Sequence, residues 1–156
     1  MEEMKEIYHV EGKLCKDFIG QISYSVCLSE SYEELDIEFS FEPKHFSKED
    51  ISKEFSLQLK NYCAKEYGYI PKSDEEWNHC LLHDMKTEIH TLASLNDKFI
   101  GGIHRQLTTR HMHYKKDSAS LGCIPVYPME GVLKVTILVF SVLLDETEYF
   151  LTVRAR

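Results

Sequence analysis

The sequence predicts a β-rich chain: an antiparallel β-sandwich-like domain with a helical insertion over about residues 47–85, or alternatively a two-layer α+β arrangement. Three observations predict it. Apolar and polar residues alternate at period two in segments 21–28 and 34–42, as in strands with one buried face. Helix-start signals at Ser47 and Ser73 introduce a stretch of four-residue periodicity. After Thr87 the chain returns to strand patterns, one of which, 132–144, is apolar on both faces.

The first strand places Ile22, Tyr24, Val26 and Leu28 on one face. In the second, Leu35, Ile37, Phe39 and Phe41 alternate with Glu34, Asp36, Glu38, Ser40 and Glu42. The apolar set belongs in a core, and the acidic face is expected to look at water. Pro43 ends this strand. Ser47, followed by Asp50 three residues on, reads as a capping box, with Phe46 and Ile51 as a hydrophobic staple. Ile51, Phe55, Leu59 and Tyr62 form an apolar stripe expected to pack on a sheet, and Gly68 supplies the stop after Tyr67. Ser73 and Glu76 form a second capping box ahead of Trp77, Leu81 and Met85.

Strands are then expected at 88–95 and 99–107, joined by a turn at Asn96 and Asp97, with a bulge at Gly101 and Gly102. Segment 109–114 reads as another strand, 115–131 as a connection punctuated by Gly and Pro, and 132–144 as a central strand. After a turn at Asp145 and Glu146, 148–153 is expected to return as its partner. Without repeats or a composition shift, one domain spanning 1–156 is the economical reading.

Of 156 residues, 43% are hydrophobic and 28% charged, a globular composition. The 18 Lys and Arg against 26 Asp and Glu leave a formal charge of −8, which argues against nucleic acid or an anionic membrane as partner. Five cysteines, odd in number and without a C-x-x-C pair, read as buried or idle thiols in a reducing compartment. The absence of an apolar leader or spanning run in the sequence adds to an expected cytoplasmic location.

Two groups of residues could carry chemistry. His79 and His83, four apart on the second helix, and His111 and His113, two apart on a strand, would each share a face. If the two pairs met, they could bind Zn, with Asp84 or Glu88 able to replace one imidazole. His104, Arg105, Arg110, Lys115 and Lys116 concentrate positive charge in an acidic chain and could seat a phosphate or carboxylate. The same cations could instead pair across the sheet with the acidic face of 34–42. Cys80 with His83, and Cys123 with His104, are formal nucleophile pairs with no identifiable oxyanion site. No phosphate-binding loop, dinucleotide fingerprint or nucleophile elbow is present in the sequence, so no catalytic residue is assigned.

F-I-G-G-I-H-R at 99–105, S-A-S-L-G-C-I-P-V-Y-P-M-E-G at 118–131, L-K-V-T-I-L-V at 133–139 and E-Y-F-L-T-V at 148–153 stand in an order that carries a resemblance. Together with E-L-D-I-E-F-S-F-E-P-K at 34–44, they resemble the strand-rich domain preceding the catalytic domain in some PHP-type metal-dependent phosphoesterases. The resemblance implies an accessory β-rich fold that holds no catalytic metals, with a phosphoesterase catalytic domain as a partner. The family's metal-binding His-x-His follows the closing strand, so His111-Met112-His113, which lies upstream, does not correspond to it.

The leading expectation is therefore a non-catalytic accessory or binding module without a cofactor, recognising a partner protein or small ligand. An unpaired edge strand would make a homodimer plausible. The alternatives are a small Zn-dependent hydrolase built on the four histidines, and an acidic inhibitor or immunity-type protein directed at a basic partner.

Overall fold

In a computed structural model, residues 3–104 and 107–156 are described. Among these residues nine strands form two antiparallel sheets packed face to face: β1 (Lys5–Leu14), β2 (Gly20–Tyr32), β3 (Glu34–Glu42), β4 (Glu88–Leu95), β5 (Lys98–Ile103), β6 (Thr109–Lys115), β7 (Ser118–Ala119), β8 (Met129–Ser141) and β9 (Thr147–Ala155). The five-stranded sheet has the order β1-β9-β3-β6-β7, and the four-stranded sheet β2-β8-β4-β5. This is the sandwich expected from the alternation. Leu35, Ile37 and Phe39 of β3, Leu133, Val135 and Ile137 of β8, and Leu151 and Val153 of β9 meet in the core between the sheets.

Among the described residues only β4–β5 and β6–β7 are hairpins, and every other step between consecutive strands changes sheet. The expected β8–β9 pairing is thus corrected. The intervening residues carry the chain across the sandwich, and β9 inserts between β1 and β3. The crossing is tied to the β1–β2 connection, where Asp17 N–H donates to the Val142 carbonyl (3.0 Å) and Lys16 N–H to the Asp145 carboxylate (2.9 Å). An apolar alternation specifies which side of a strand is buried but leaves its neighbours open. β1, not anticipated, is an edge strand whose Tyr8, Val10 and Leu14 do alternate with His9, Glu11 and Lys13.

The helical insertion leaves from β3 and returns at β4. Ser47 and Asp50 do form a capping box, but it closes a single 3₁₀ turn, Lys48–Asp50. Ser52, accepting from Phe55 N–H at 3.0 Å, starts α1 (Lys53–Tyr67), so the helix begins later than expected. Gly68, at φ 65°, ends it in the left-handed region that favours glycine. α2 (Asp74–His79) starts from Ser73 as expected and runs into a π-helical turn, Cys80–Asp84. The stripe of α1 does not join the sandwich core. Cys63, rather than Tyr62, is buried and packs with Trp77 and Leu81 in a second small core. No helix among the described residues is long and apolar enough to cross a membrane.

Inside the sandwich, Thr91 of β4 has its hydroxyl buried without a hydrogen-bond partner among the described residues. Its neighbours across the sheet are Ile137 and Ile103. An unpaired buried hydroxyl costs roughly 1–3 kcal/mol, and valine has nearly the same shape. Thr91→Val is expected to stabilise the fold by about 1 kcal/mol, raising the urea midpoint. A lowered midpoint would mean that the hydroxyl is satisfied in solution.

Candidate functional site

At one side of the sandwich the end of β5, the start of β6 and the segment following β7 enclose a cleft of about 570 Å³. The segment after β7 is laid along β5 by backbone bonds from Gly102 N–H to the Gly122 carbonyl (3.0 Å) and from Ile124 N–H to the Ile100 carbonyl (2.8 Å). Gly101 makes this approach possible, because a Cβ there would lie 2.6 Å from the Tyr114 hydroxyl and 2.7 Å from Cys123 Sγ. The strand register slips just before it, between Phe99 and Gly101, so the bulge lies one residue earlier than the sequence suggested. Ile103, His104, Leu107, Thr109, Arg110 and Ser120 are among the lining residues. Leu107 and Leu121 stand at the cleft, 53% and 74% exposed.

Arg110 is 4% exposed, and its guanidinium faces the rings of Phe39 and Phe41 at 5.7 and 5.6 Å. Its donors go to backbone carbonyls: Nε to Leu107 (3.2 Å), Nη2 to Leu107 (3.0 Å), and Nη1 to Ile103 (3.4 Å) and to Ile89. Burial lowers its pKa to about 10, which leaves it charged at neutral pH. No carboxylate pairs with it among the described residues. His104 lines the same cleft, with its ring 5.9 Å from that of His90, which in turn bonds Glu88 at 3.0 Å. Arg105 lies outside the described residues.

Lys115 is elsewhere, on the outer face of the five-stranded sheet with His113, while His111 shares that face and also lines the edge of the cleft. Register places Glu34, Asp36 and Glu38 of β3 opposite Lys115, His113 and His111 of β6, while β9 brings Arg154 and Arg156 to the other flank. His113 bridges Glu34 (2.8 Å) and Asp36 (3.5 Å); His111 bridges Asp36 (3.0 Å) and Glu38 (3.5 Å). Arg154 reaches Glu38 at 3.2 Å, Lys115 reaches Glu34 at 3.4 Å, and Arg156 also pairs with Glu34. The acidic face therefore looks at water only in part: Glu34 and Asp36 are buried under the cations of their neighbours, while Glu38 is half-buried and Glu42 exposed. Burial pushes the Glu34 pKa up, but the hydrogen bond from Lys115 and the charges of Arg156, Lys115 and His113 outweigh it and hold the carboxyl below its ordinary value.

The two histidine pairs do not form one site among the described residues. His79 and His83 lie side by side on the helical insertion, their tilted rings 4.8 Å apart, with Asp84 3.7 Å from His79. The described group with ligand atoms close enough for one ion is instead Asp36, Glu38 and His111, all within 4.8 Å. The guanidinium of Arg154 already stands against both carboxylates, 3.9 Å from Asp36, so an ion there would compete with the protein's own cation. As for nucleophiles, burial pushes both the Cys80 and Cys123 thiols up, opposite to the depression that activates a thiolate.

Sequence reasoning did not select Glu34, Asp36, Glu38, Arg154 or Arg156 as a connected set, nor Leu107, Leu121 and Gly122 around the cleft. The first set carried a usable signal: E-x-D-x-E at 34–38, H-x-H-x-K at 111–115 and R-x-R at 154–156 have complementary signs at strand period. The cleft had no such signal, since its wall is a loop laid against a strand edge.

A model described as a family of unknown function (DUF6669) matches residues 4–156, and the chain belongs to that family. No curated protein and no solved structure matches it.

Proposed function

We propose that this family member is a non-catalytic recognition module whose ligand site is the cleft between β5, β6 and the segment after β7. The observation that carries the reading is Arg110, a buried cation without a carboxylate partner among the described residues, in the wall of a cleft of about 570 Å³. Its size lies within the roughly 300–1,000 Å³ typical of small-molecule sites. Exposed leucines beside a fixed charge make a wall able to orient what it binds. The other cationic cluster has its charges matched: Glu34, Asp36 and Glu38 face Lys115, Arg154 and Arg156. That face therefore serves better as a closed surface than as a receptor. The version in which the partner is a phosphoesterase catalytic domain rests on the resemblance of 99–153 and would use the same end of the sandwich.

Amide-detected NMR with a library of neutral, cationic and anionic fragments tests the reading. Saturable shifts grouped at Gly102, Thr109, Ser120 and Gly122 are the expected result, weakened by Leu121→Asp on the exposed rim. Shifts grouped on the outer face around Glu34, His113 and Lys115, with the cleft silent, would move the site and overturn it.

A further inference from the structure

We infer that the cleft takes a small amphiphilic anion, its carboxylate or phosphate beside Arg110 and His104 and its apolar part against Leu107 and Leu121. This deepens the recognition reading and rests on it.

Arg110 determines the sign of the ligand. A guanidinium has five N–H donors, and four hydrogen bonds to carbonyls account for all but one of them. Carbonyl dipoles and two aromatic faces hold the charge in place without neutralising it. In a chain with 26 Asp and Glu, the described cations Lys115, Arg154 and Arg156 have all found carboxylates, and Arg110 has not. An anion entering the cleft would supply the missing opposite charge in a poorly hydrated wall, where a charge-assisted hydrogen bond is stronger than at an open surface. A cation would meet like charge there.

The rim determines the rest. Leu107 and Leu121 are each more than half exposed, and Ile103 continues the apolar wall inward. A bare anion leaves that surface in water, whereas an anion carrying a short hydrocarbon chain covers it at roughly 25 cal/mol per Å². The formal charge of −8 opposes anions at long range, so selection is made by contacts within the cleft.

The test is an NMR titration at pH 7 with sodium hexanoate, hexyl phosphate, inorganic phosphate, hexanol and hexylammonium. Hexanoate and hexyl phosphate are expected to shift the amides of Gly102, His104, Thr109 and Gly122 saturably. Hexylammonium should bind at least about tenfold more weakly, because like charges at a desolvated contact are strongly disfavoured. Inorganic phosphate weaker than hexyl phosphate supports the apolar half of the proposal. Equal affinity would reduce it to an anion site and overturn the amphiphile. Arg110→Gln should erase the preference for hexanoate over hexanol. Should that variant fail to fold, Leu121→Asp, at an exposed position, is expected to weaken both hexyl anions. Hexanol or hexylammonium binding the cleft as tightly as hexanoate would overturn the anion inference and leave the recognition module standing. Fragments from the library binding elsewhere, with the cleft silent to all five probes, would remove both.

Discussion

Glu34→Ala is expected to lower the unfolding free energy by about 2–3 kcal/mol at pH 7, read from urea denaturation. Removing one partner of a buried ion pair costs roughly 3–5 kcal/mol when the other charge stays buried. The lower range applies because the Arg156 side chain is 30% exposed and that of Lys115 51%, so water can recover part of their solvation. Glu34 itself is only 8% exposed and sits where His113, Lys115 and Arg156 converge. The pH dependence follows from the direction of its shift. A carboxyl whose folded-state pKa lies below its unfolded value contributes fully above the unfolded value, about 4.3, and loses that contribution as pH falls through the folded value. Glu34→Gln should therefore flatten the stability profile below about pH 5 relative to the parent chain. Profiles that run parallel from neutral pH into the acid range would show that the carboxylate row is not held by its cations.

Trp77→Ala is expected to melt the helical insertion and leave the sandwich folded. Trp77 is 3% exposed and is the largest buried side chain of a core that otherwise holds Cys63 and Leu81. Its indole N–H donates to Ser56 Oγ at 2.9 Å, joining α2 to α1, and Tyr69 packs on its ring. Truncating a buried tryptophan costs roughly 3–5 kcal/mol, and a helix the length of α1 is marginal in water by itself. The base of the insertion is closed separately, by Thr87 N–H donating to the Lys44 carbonyl (2.8 Å) and by the His45 ring against the Met85 carbonyl (2.9 Å). Loss of amide protection over residues 53–84, with the strands still protected, is the expected result. If strand protection falls by the same amount, the two cores unfold as one unit.

Fold class was legible because it rests on local physics. Alternation in 22–28 and 35–41 assigns a buried and an open side, Ser73 satisfies a helix-start donor while the signal at Ser47 falls one short turn ahead of the true start at Ser52, and Asn96-Asp97, both at positive φ, close the β4–β5 hairpin. Lys115 paired with Glu34, one of the two roles weighed for the cations from their composition alone. Arg110 pairs with no carboxylate among the described residues because it is buried, which no charge pattern expresses: its alternation with Thr109 and His111 puts it on the inward face of β6.

By itself, the sequence determined that strands surround a capped helical insertion, which residues of each strand are apolar, and that a surplus of carboxylates had few cations to meet. Tertiary structure alone decided that β9 lies between β1 and β3 instead of beside β8, and that the end of the acidic row at Glu34 and Asp36 is covered. It also kept the two histidine pairs apart and made a cleft of one loop against β5. The reason is the reach of the interactions. Period, capping and turn chemistry act over a few residues, whereas strand order and side-chain convergence depend on contacts such as Glu34 with Arg156, between segments remote in sequence.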